Sequence, residues 1–267
     1  MTDWIRARYG DGPPAAPDAL EDMLIRGSCR VYKPDPVPRD TLEVLAASAL
    51  AAPTKSDLQQ RDILFVADPV LRGWIDGLFP EMPWIADAPH FVVFLANNRR
   101  QRQVHAWRGR PFANDHLDAF FNASVDAAVA LAAFVAAAER LGLGACPISA
   151  LRDHAQAVSD RLALPDHVFP ICGLTLGYPV YPPRISPRLD LGHTVHWDRF
   201  SEDGVREAVA AYDVRRNQTR PFSSQRDPGR FGEDPAYGWS EDKARQYATS
   251  QRADFGAFIR RKGFDLS

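Results

Sequence analysis

Three short clusters rich in arginine, serine, threonine and proline stand at predicted loop junctions of this 267-residue chain. The first is Arg26-Gly27-Ser28-Cys29-Arg30-Val31-Tyr32. The second is Ala52-Pro53-Thr54-Lys55-Ser56-Asp57-Leu58-Gln59-Gln60, and the third is Arg184-Ile185-Ser186-Pro187-Arg188-Leu189. A guanidinium fork at a fixed backbone position suits a phosphate, which it binds bidentately. Hydroxyl and amide side chains suit a polyol. Taken singly, each cluster reads more readily as a solvated loop.

Other constellations fail. Gly142-Leu143-Gly144 follows a predicted helix instead of a strand, so it stops that helix and makes no dinucleotide turn. There is no Walker loop, no GxSxG elbow, no HExxH and no Ser–His–Asp set that sequence order can assemble. His193 and His196, three apart at a predicted strand end, would face opposite ways and make a poor metal pair. No metal ligand set and no catalytic acid or base is assigned.

The elements that must position the clusters follow from periodicity and punctuation. Residues 1–17 read as a loose start. A short helix opens at Pro17-Asp18, runs through Leu20, Met23 and Leu24, and fails near Gly27-Ser28. A second spans Thr41–Ala52 with Leu42, Leu45, Ala46, Ala49 and Leu50 on one face, broken by Pro53. Buried strands are predicted over 62–67, 91–96 and 169–177, with 145–149 extended. His116–Leu143 is apolar on nearly every side, which predicts a helix buried nearly all round. A helix over 153–162 follows, and the chain turns polar and helical again after Phe200. Residues 218–238, with Arg220, Arg226 and Arg230, read as a surface excursion. It could be solvated structure, or it could overhang a pocket and meet an anionic cofactor. Ser240 is expected to cap the next helix, and Phe255, Phe258 and Ile259 to dock the last one. The long ~30-residue βαβ rhythm is absent, so the class is α+β.

Composition bounds the rest. With 32 basic against 34 acidic residues the formal charge is −2, so a whole-chain nucleic-acid footprint is missing. The longest uncharged apolar run, 127–138, falls short of the ~20 residues of a membrane span. The first residues carry no apolar h-region of a signal peptide. Cys29, Cys146 and Cys172 are odd in number and lack CxxC spacing, which predicts free thiols in a reducing cytoplasm.

Order and spacing join the clusters. Arg26-Gly-Ser-Cys-Arg30 resembles the RxSxR signature of the nitroreductase family, and the APTKSDLQQRD loop resembles that family's APxSxNxQPW. GLGACPISALRDH is similar to its GLGxxPIGxLR segment, and FPICGLTLGYPVYPPRISPRL to its VFPxxGLxxGYPxxxPxxKPRL segment. The resemblance covers roughly residues 19–200, and the tail fits the longer, NADPH-preferring, oxygen-insensitive branch. The chain departs from the pattern at Lys55 and Asp57, at Ser149-Ala150 in place of a glycine pair, at Ser186 in place of Lys, and at Gln60-Arg61 where a Trp is usual.

The resemblance implies a nitroreductase-like α+β fold: a small central mixed sheet flanked by helices around a long buried dimer helix. An FMN-binding core would span 18–200 and a C-terminal extension 201–267. It implies a cytoplasmic homodimer with FMN at each interface. Arg26, Ser28 and Arg30, at a motif containing Gly27, would hold the phosphate and ribityl oxygens, with Arg188 completing the grip and Arg184 or Lys55 replacing the missing Lys. Pro53, Thr54, Lys55, Ser56 and Gln59 would come from the other loop, across the interface. The backbone of Pro147, Ile148, Ser149 and Ala150 would face the flavin ring. The implied reaction is ping-pong: hydride passes from NADPH to flavin N5, then to a nitroaromatic, quinone or similar small-molecule acceptor. Two alternatives stay open. One is FMN- and oxygen-dependent substrate oxidation, or reductive dehalogenation, on the same scaffold. The other is a non-enzymatic protein whose helix only dimerises. No nucleic acid or membrane partner is expected.

Overall fold

The computed structural model describes residues 4–10 and 17–267. Its contacts divide the chain into two compact units: Ser28–Pro182 with Arg252–Ser267, and Met1–Gly27 with Pro183–Gln251. Both units are discontinuous in sequence, so neither coincides with a contiguous 18–200 or 201–267 segment.

The larger unit is built on four strands: β1 (Arg61–Phe65), β2 (His90–Asn97), β3 (Gly144–Ile148) and β4 (Val168–Gly177). Their order is β1-β2-β4-β3, and every neighbouring pair is antiparallel. The mixed sheet expected from the sequence is therefore corrected. β4 returns between β2 and β3, which run in the same direction but are never neighbours. The short extended stretch foreseen near 145–149 is the edge strand β3. β2 is buried along nearly its whole length. Both faces of the sheet are covered there, which is why this strand reads as an uninterrupted apolar run.

The Leu117–Arg140 helix packs Ala119, Ala123, Ala127, Ala130, Phe134 and Ala138 inward. Phe134 meets Phe94 of β2 edge to face, with ring centroids 5.5 Å apart. Alanines bring the helix close to its neighbours, and Gly142 ends the segment in the left-handed region at φ 73°. The opposite side is open: Phe121 is 59% and Val125 41% exposed, and Ala128 and Ala132 are exposed too. Within the single chain, the sheet thus covers one side of this helix and leaves the other open. At 24 residues this is, among the described residues, the one helix long and apolar enough to cross a membrane, although its uncharged run is shorter. Its inward alanines and Phe134 account for that apolarity as core packing.

Smaller differences follow the same physics. In the Arg39–Leu50 helix, Leu42, Leu45 and Ala49 are buried as expected, but Leu50 is 43% exposed at the last turn. The helix read at 153–162 starts as a 3₁₀ segment, Ser149–His154, and becomes α-helical at Ala155–Arg161. The final helix, Phe255–Arg261, docks Phe258 and Ile259 beside Phe169 and Ala96, as expected.

In the smaller unit, Trp4–Tyr9 is helical where a loose start was expected. Residues 1–3 and 11–16 of that start lie outside the described residues. Its main helices are Val205–Thr219 and Trp239–Tyr247. The 218–238 excursion between them is tied down. Gln225 and Asp234 exchange two hydrogen bonds of 2.8 Å, and the buried Arg245 donates to the carbonyls of Arg226 (3.0 Å) and Gly232 (2.8 Å). Ser240 does not cap the helix that follows. It lies inside it, with Gly238 at the cap, and its hydroxyl donates to Asp213 instead. His193 ends a 3₁₀ turn instead of a strand, and its ring pairs with Asp190 at 3.0 Å.

Candidate functional site

The second cluster is a loop of the larger unit with an unusual backbone. Ser56 (φ 48°), Asp57 (φ 56°) and Gln59 (φ 52°) are all left-handed without being glycine. Such residues are strained and persist only when their surroundings over-determine them. Here the surroundings are polar and buried. Asp126, 2% exposed on the inward side of the long helix, accepts from the Thr54 hydroxyl (2.6 Å) and from the backbone N–H of Lys55 (2.9 Å) and Gln60 (3.0 Å). The Thr54 hydroxyl in turn accepts from the Gln59 N–H at 2.8 Å. From the other side, Arg100 donates to the Gln59 carbonyl and Gln101 to the Leu58 carbonyl, both at 2.6 Å. Lys55, Ser56 and Gln59 are left exposed, with the Gln59 amide resting on Asp57 at 3.0 Å. Pro53 is exposed at the loop's entry.

Gln60-Arg61, standing where the resemblance led to a Trp, belongs to the same hub. Arg61 is 4% exposed, donates to the carbonyls of Leu50 and Ala52 at 2.8 Å, and lies 3.9 Å from Asp126. The sequence carried one signal of this hub, a lone charge in the middle of an apolar helix. A buried carboxylate requires partners.

Ser28 and Arg30, also in the larger unit, are exposed beside the outer edge of β3. The Cys29 N–H donates to the Ala145 carbonyl at 3.0 Å and so covers part of that edge. The Arg30 guanidinium lies over the Trp84 ring, 5.6 Å from its centroid. The buried Tyr32 hydroxyl donates to the Cys29 carbonyl at 2.7 Å and fixes the turn from below. Burial pushes the thiols of Cys29 and Cys146 up, and that of Cys172 to about 11, so none is a thiolate nucleophile at neutral pH. At the end of β3, Pro147 and Ser149 are exposed, Ile148 is buried and Ala150 is half-buried.

In the smaller unit, one residue the sequence reading passed over gathers Arg26 and the third cluster. Arg8, 5% exposed, donates to the carbonyls of Leu24 (3.0 Å), Arg26 (2.8 Å) and Ser186 (3.3 Å), and its own carbonyl accepts from the Arg188 N–H at 2.7 Å. Gly27 touches the same strand of chain: a Cβ there would lie 2.6 Å from the Arg184 carbonyl oxygen. Arg184 and Arg188 are exposed. Of the excursion's arginines, Arg220 donates to Ser186, Arg226 lies 3.5 Å from Asp242, and Arg230 donates to Thr249 at 3.0 Å.

Each unit by itself offers donors that fit a phosphate-bearing cofactor, Arg30 and Lys55 in the larger and Arg184 and Arg188 in the smaller. Arg30, Lys55, Arg184 and Arg188 are all exposed and make no ion pair with a carboxylate among the described residues. Exposed guanidinium and ammonium groups beside serine hydroxyls are the complement of a phosphate monoester and a polyol.

Comparison with known proteins places this geometry in context. The Nitroreductase family model matches residues 24–178, and the model of that family's C-terminal domain matches residues 186–267. The chain is 28% identical over 254 residues to an FMN reductase [NAD(P)H] of Bacillus subtilis, covering 93% of this chain and 98% of that protein. It is 30% identical over 211 residues to an oxygen-insensitive NADPH nitroreductase of Salmonella typhimurium, covering 78% and 86%. Among solved structures, B. megaterium NfrA2 superposes with a TM-score of 0.84 at 27% identity, covering 94% of this chain and 100% of that one.

Proposed function

The chain belongs to the nitroreductase family, and on that premise we propose that its flavin is FMN, its hydride donor NADPH, and its acceptors nitroaromatic or quinone-like molecules. It is a flavin-dependent NAD(P)H oxidoreductase, as its relatives' names state of them. The observation that carries the choice of FMN is the kind of donor each unit presents, exposed cations without a carboxylate partner, suited to a phosphate monoester, in a sequence with no glycine turn for a pyrophosphate.

Bound FMN would supply a ring that takes hydride at N5 and yields it to an acceptor stacked in the same place. The protein's part is to hold and orient. Arg30 and Ser28, supported by Tyr32, offer a guanidinium and a hydroxyl. Arg26, at the Gly27 turn, and Arg188, with Arg184 near it in sequence, add cationic grip. Lys55, Ser56 and Gln59, with Pro53 and Thr54 shaping their loop, present an ammonium, a hydroxyl and an amide. The end of β3 from Pro147 to Ala150 offers backbone to the ring. No side chain is assigned as acid or base.

The open stripe of Phe121, Val125, Ala128 and Ala132 supports a homodimer, since contiguous exposed apolar surface marks an interface. Three unpaired thiols support a reducing compartment such as the cytoplasm. We also place the cofactor-binding core within 18–200.

Heat release of the chromophore tests the assignment. FMN in the supernatant is expected, and FAD would overturn it. Anaerobic mixing with NADPH or NADH then reads the donor, and faster flavin bleaching by NADH would overturn the NADPH assignment.

A further inference from the structure

Asp126 does not reach the surface, yet the loop that carries Lys55, Ser56 and Gln59 is built around it. The backbone groups on both sides of the loop's tip are paired. The N–H groups of Lys55 and Gln60 and the hydroxyl of Thr54 go to the Asp126 carboxylate. The Gln59 N–H goes to Thr54 and the Leu58 N–H to the Lys55 carbonyl (2.8 Å each). The Leu58, Gln59 and Gln60 carbonyls go to Gln101, Arg100 and the Asn97 N–H. With both flanks of the loop held in this way, the side chains of Lys55, Ser56 and Gln59 are left exposed between them. The same constraints hold three non-glycine residues left-handed, which a free loop would not sustain.

We propose that Asp126 is a positioning residue for the cofactor: from the core of the long helix it fixes the 54–60 loop in the strained shape that aims Lys55 and Ser56 at the flavin. This rests on the assignment of that loop to the flavin made above. Charge gives Asp126 this role. A carboxylate has two acceptor oxygens and no donor, and here three donors converge on it at 2.6–3.0 Å with Arg61 behind them at 3.9 Å. An amide in its place would turn an N–H toward one of those donors. Arg61 depends on the same charge. Its Nε and Nη1 are buried without a hydrogen-bond partner, so the nearby carboxylate is what compensates them. Thr54 is the relay, because its one hydroxyl both donates to Asp126 and accepts from Gln59.

The test titrates apoproteins with FMN and follows amide exchange at Lys55, Gln59 and Gln60. Asp126→Asn and Thr54→Val should each weaken FMN by about 10-fold or more, and speed exchange at those amides. For Asp126→Asn, turnover per bound flavin at saturating FMN should stay near wild type, a split between affinity and rate that loss of global stability would not produce. Thr54→Ser, which keeps the hydroxyl, should restore both affinity and protection. If Asp126→Asn fails to fold because Arg61 loses its counter-charge, Thr54→Val decides alone. Lys55→Ala and Ser56→Ala are the controls for the underlying assignment. If those two weaken FMN while Asp126→Asn and Thr54→Val bind it normally, the positioning role is wrong and the loop's assignment stands. If Lys55→Ala and Ser56→Ala bind FMN like wild type, the loop is not at the flavin and the proposal falls with that assignment.

Discussion

Adding one methyl group at two glycines should give opposite results, and the structure supplies the sign of each. At Gly27 an added Cβ would lie 2.6 Å from the Arg184 carbonyl oxygen, 2.9 Å from its nitrogen and 3.2 Å from its carbonyl carbon. All three are backbone atoms, so no rotamer change relieves the contact, and two stretches of chain must part by several tenths of an ångström. Overpacking of this kind costs ~1–3 kcal/mol. Arg8 ties the Arg26 carbonyl to the Ser186 carbonyl, so the displacement must also disturb the turn that carries Arg26. If one charge-assisted bond to the cofactor is lost as a result, FMN affinity falls about 10- to 150-fold. At Gly73, exposed within the Pro69–Asp76 helix, an added Cβ meets nothing within 4 Å. There alanine should stabilise by ~0.5–1 kcal/mol, because glycine loses more backbone entropy in a helix. Urea denaturation of the apoproteins and FMN titration measure both effects. Gly27→Ala with wild-type midpoint and wild-type FMN affinity would show that the close approach to Arg184 does not constrain the site.

Arg30→Ala and Arg188→Ala should each weaken FMN by about 10- to 150-fold at an unchanged melting temperature, since both guanidinium groups are exposed; equal flavin titrations in wild type and variants would return them to solvated loops. Val125→Glu or Ala128→Glu, on the open side of the long helix, should give a folded monomer with weakened flavin, read by light scattering; a yellow dimer in both would place the interface elsewhere. Ala130, 0% exposed, faces the protein's own core, so Ala130→Glu should abolish folding instead. His90 is held below its usual pKa of 6.5 by burial and by Arg72, while its Nε2 accepts from the Val37 N–H at 2.8 Å. The unfolded chain then takes up a proton first, so stability is full above pH ~6.5 and falls as pH drops through the lowered folded value, by at most ~1.4 kcal/mol per pH unit. His90→Gln should flatten that part of the urea-midpoint profile between pH 8 and 5, and an unchanged slope would assign the titration to another group.

Local pattern alone determined a good deal. β2 and β4 were legible because a strand covered on both faces has no polar side to hide it. The long helix was legible from its alanines and its glycine stop, and the three clusters from residue type and spacing. What sequence could not reveal was where each side chain pointed. The long helix reads as apolar all round, but only the assembled sheet shows that Ala130 faces inward and Val125 outward. Neighbour order decided that the sheet is antiparallel throughout, because β4 enters between strands that pattern cannot arrange. Arg8 in a glycine- and proline-rich start looked like any surface cation, and its role comes from carbonyls some 16 to 178 positions away. Asp126 and Arg61, 65 positions apart in sequence, were visible only as an oddity in a helix and a missing aromatic. Periodicity reports which residues avoid water. Which buried charges answer one another is a long-range electrostatic question, and only the tertiary structure, by bringing them within a few ångströms, decides it.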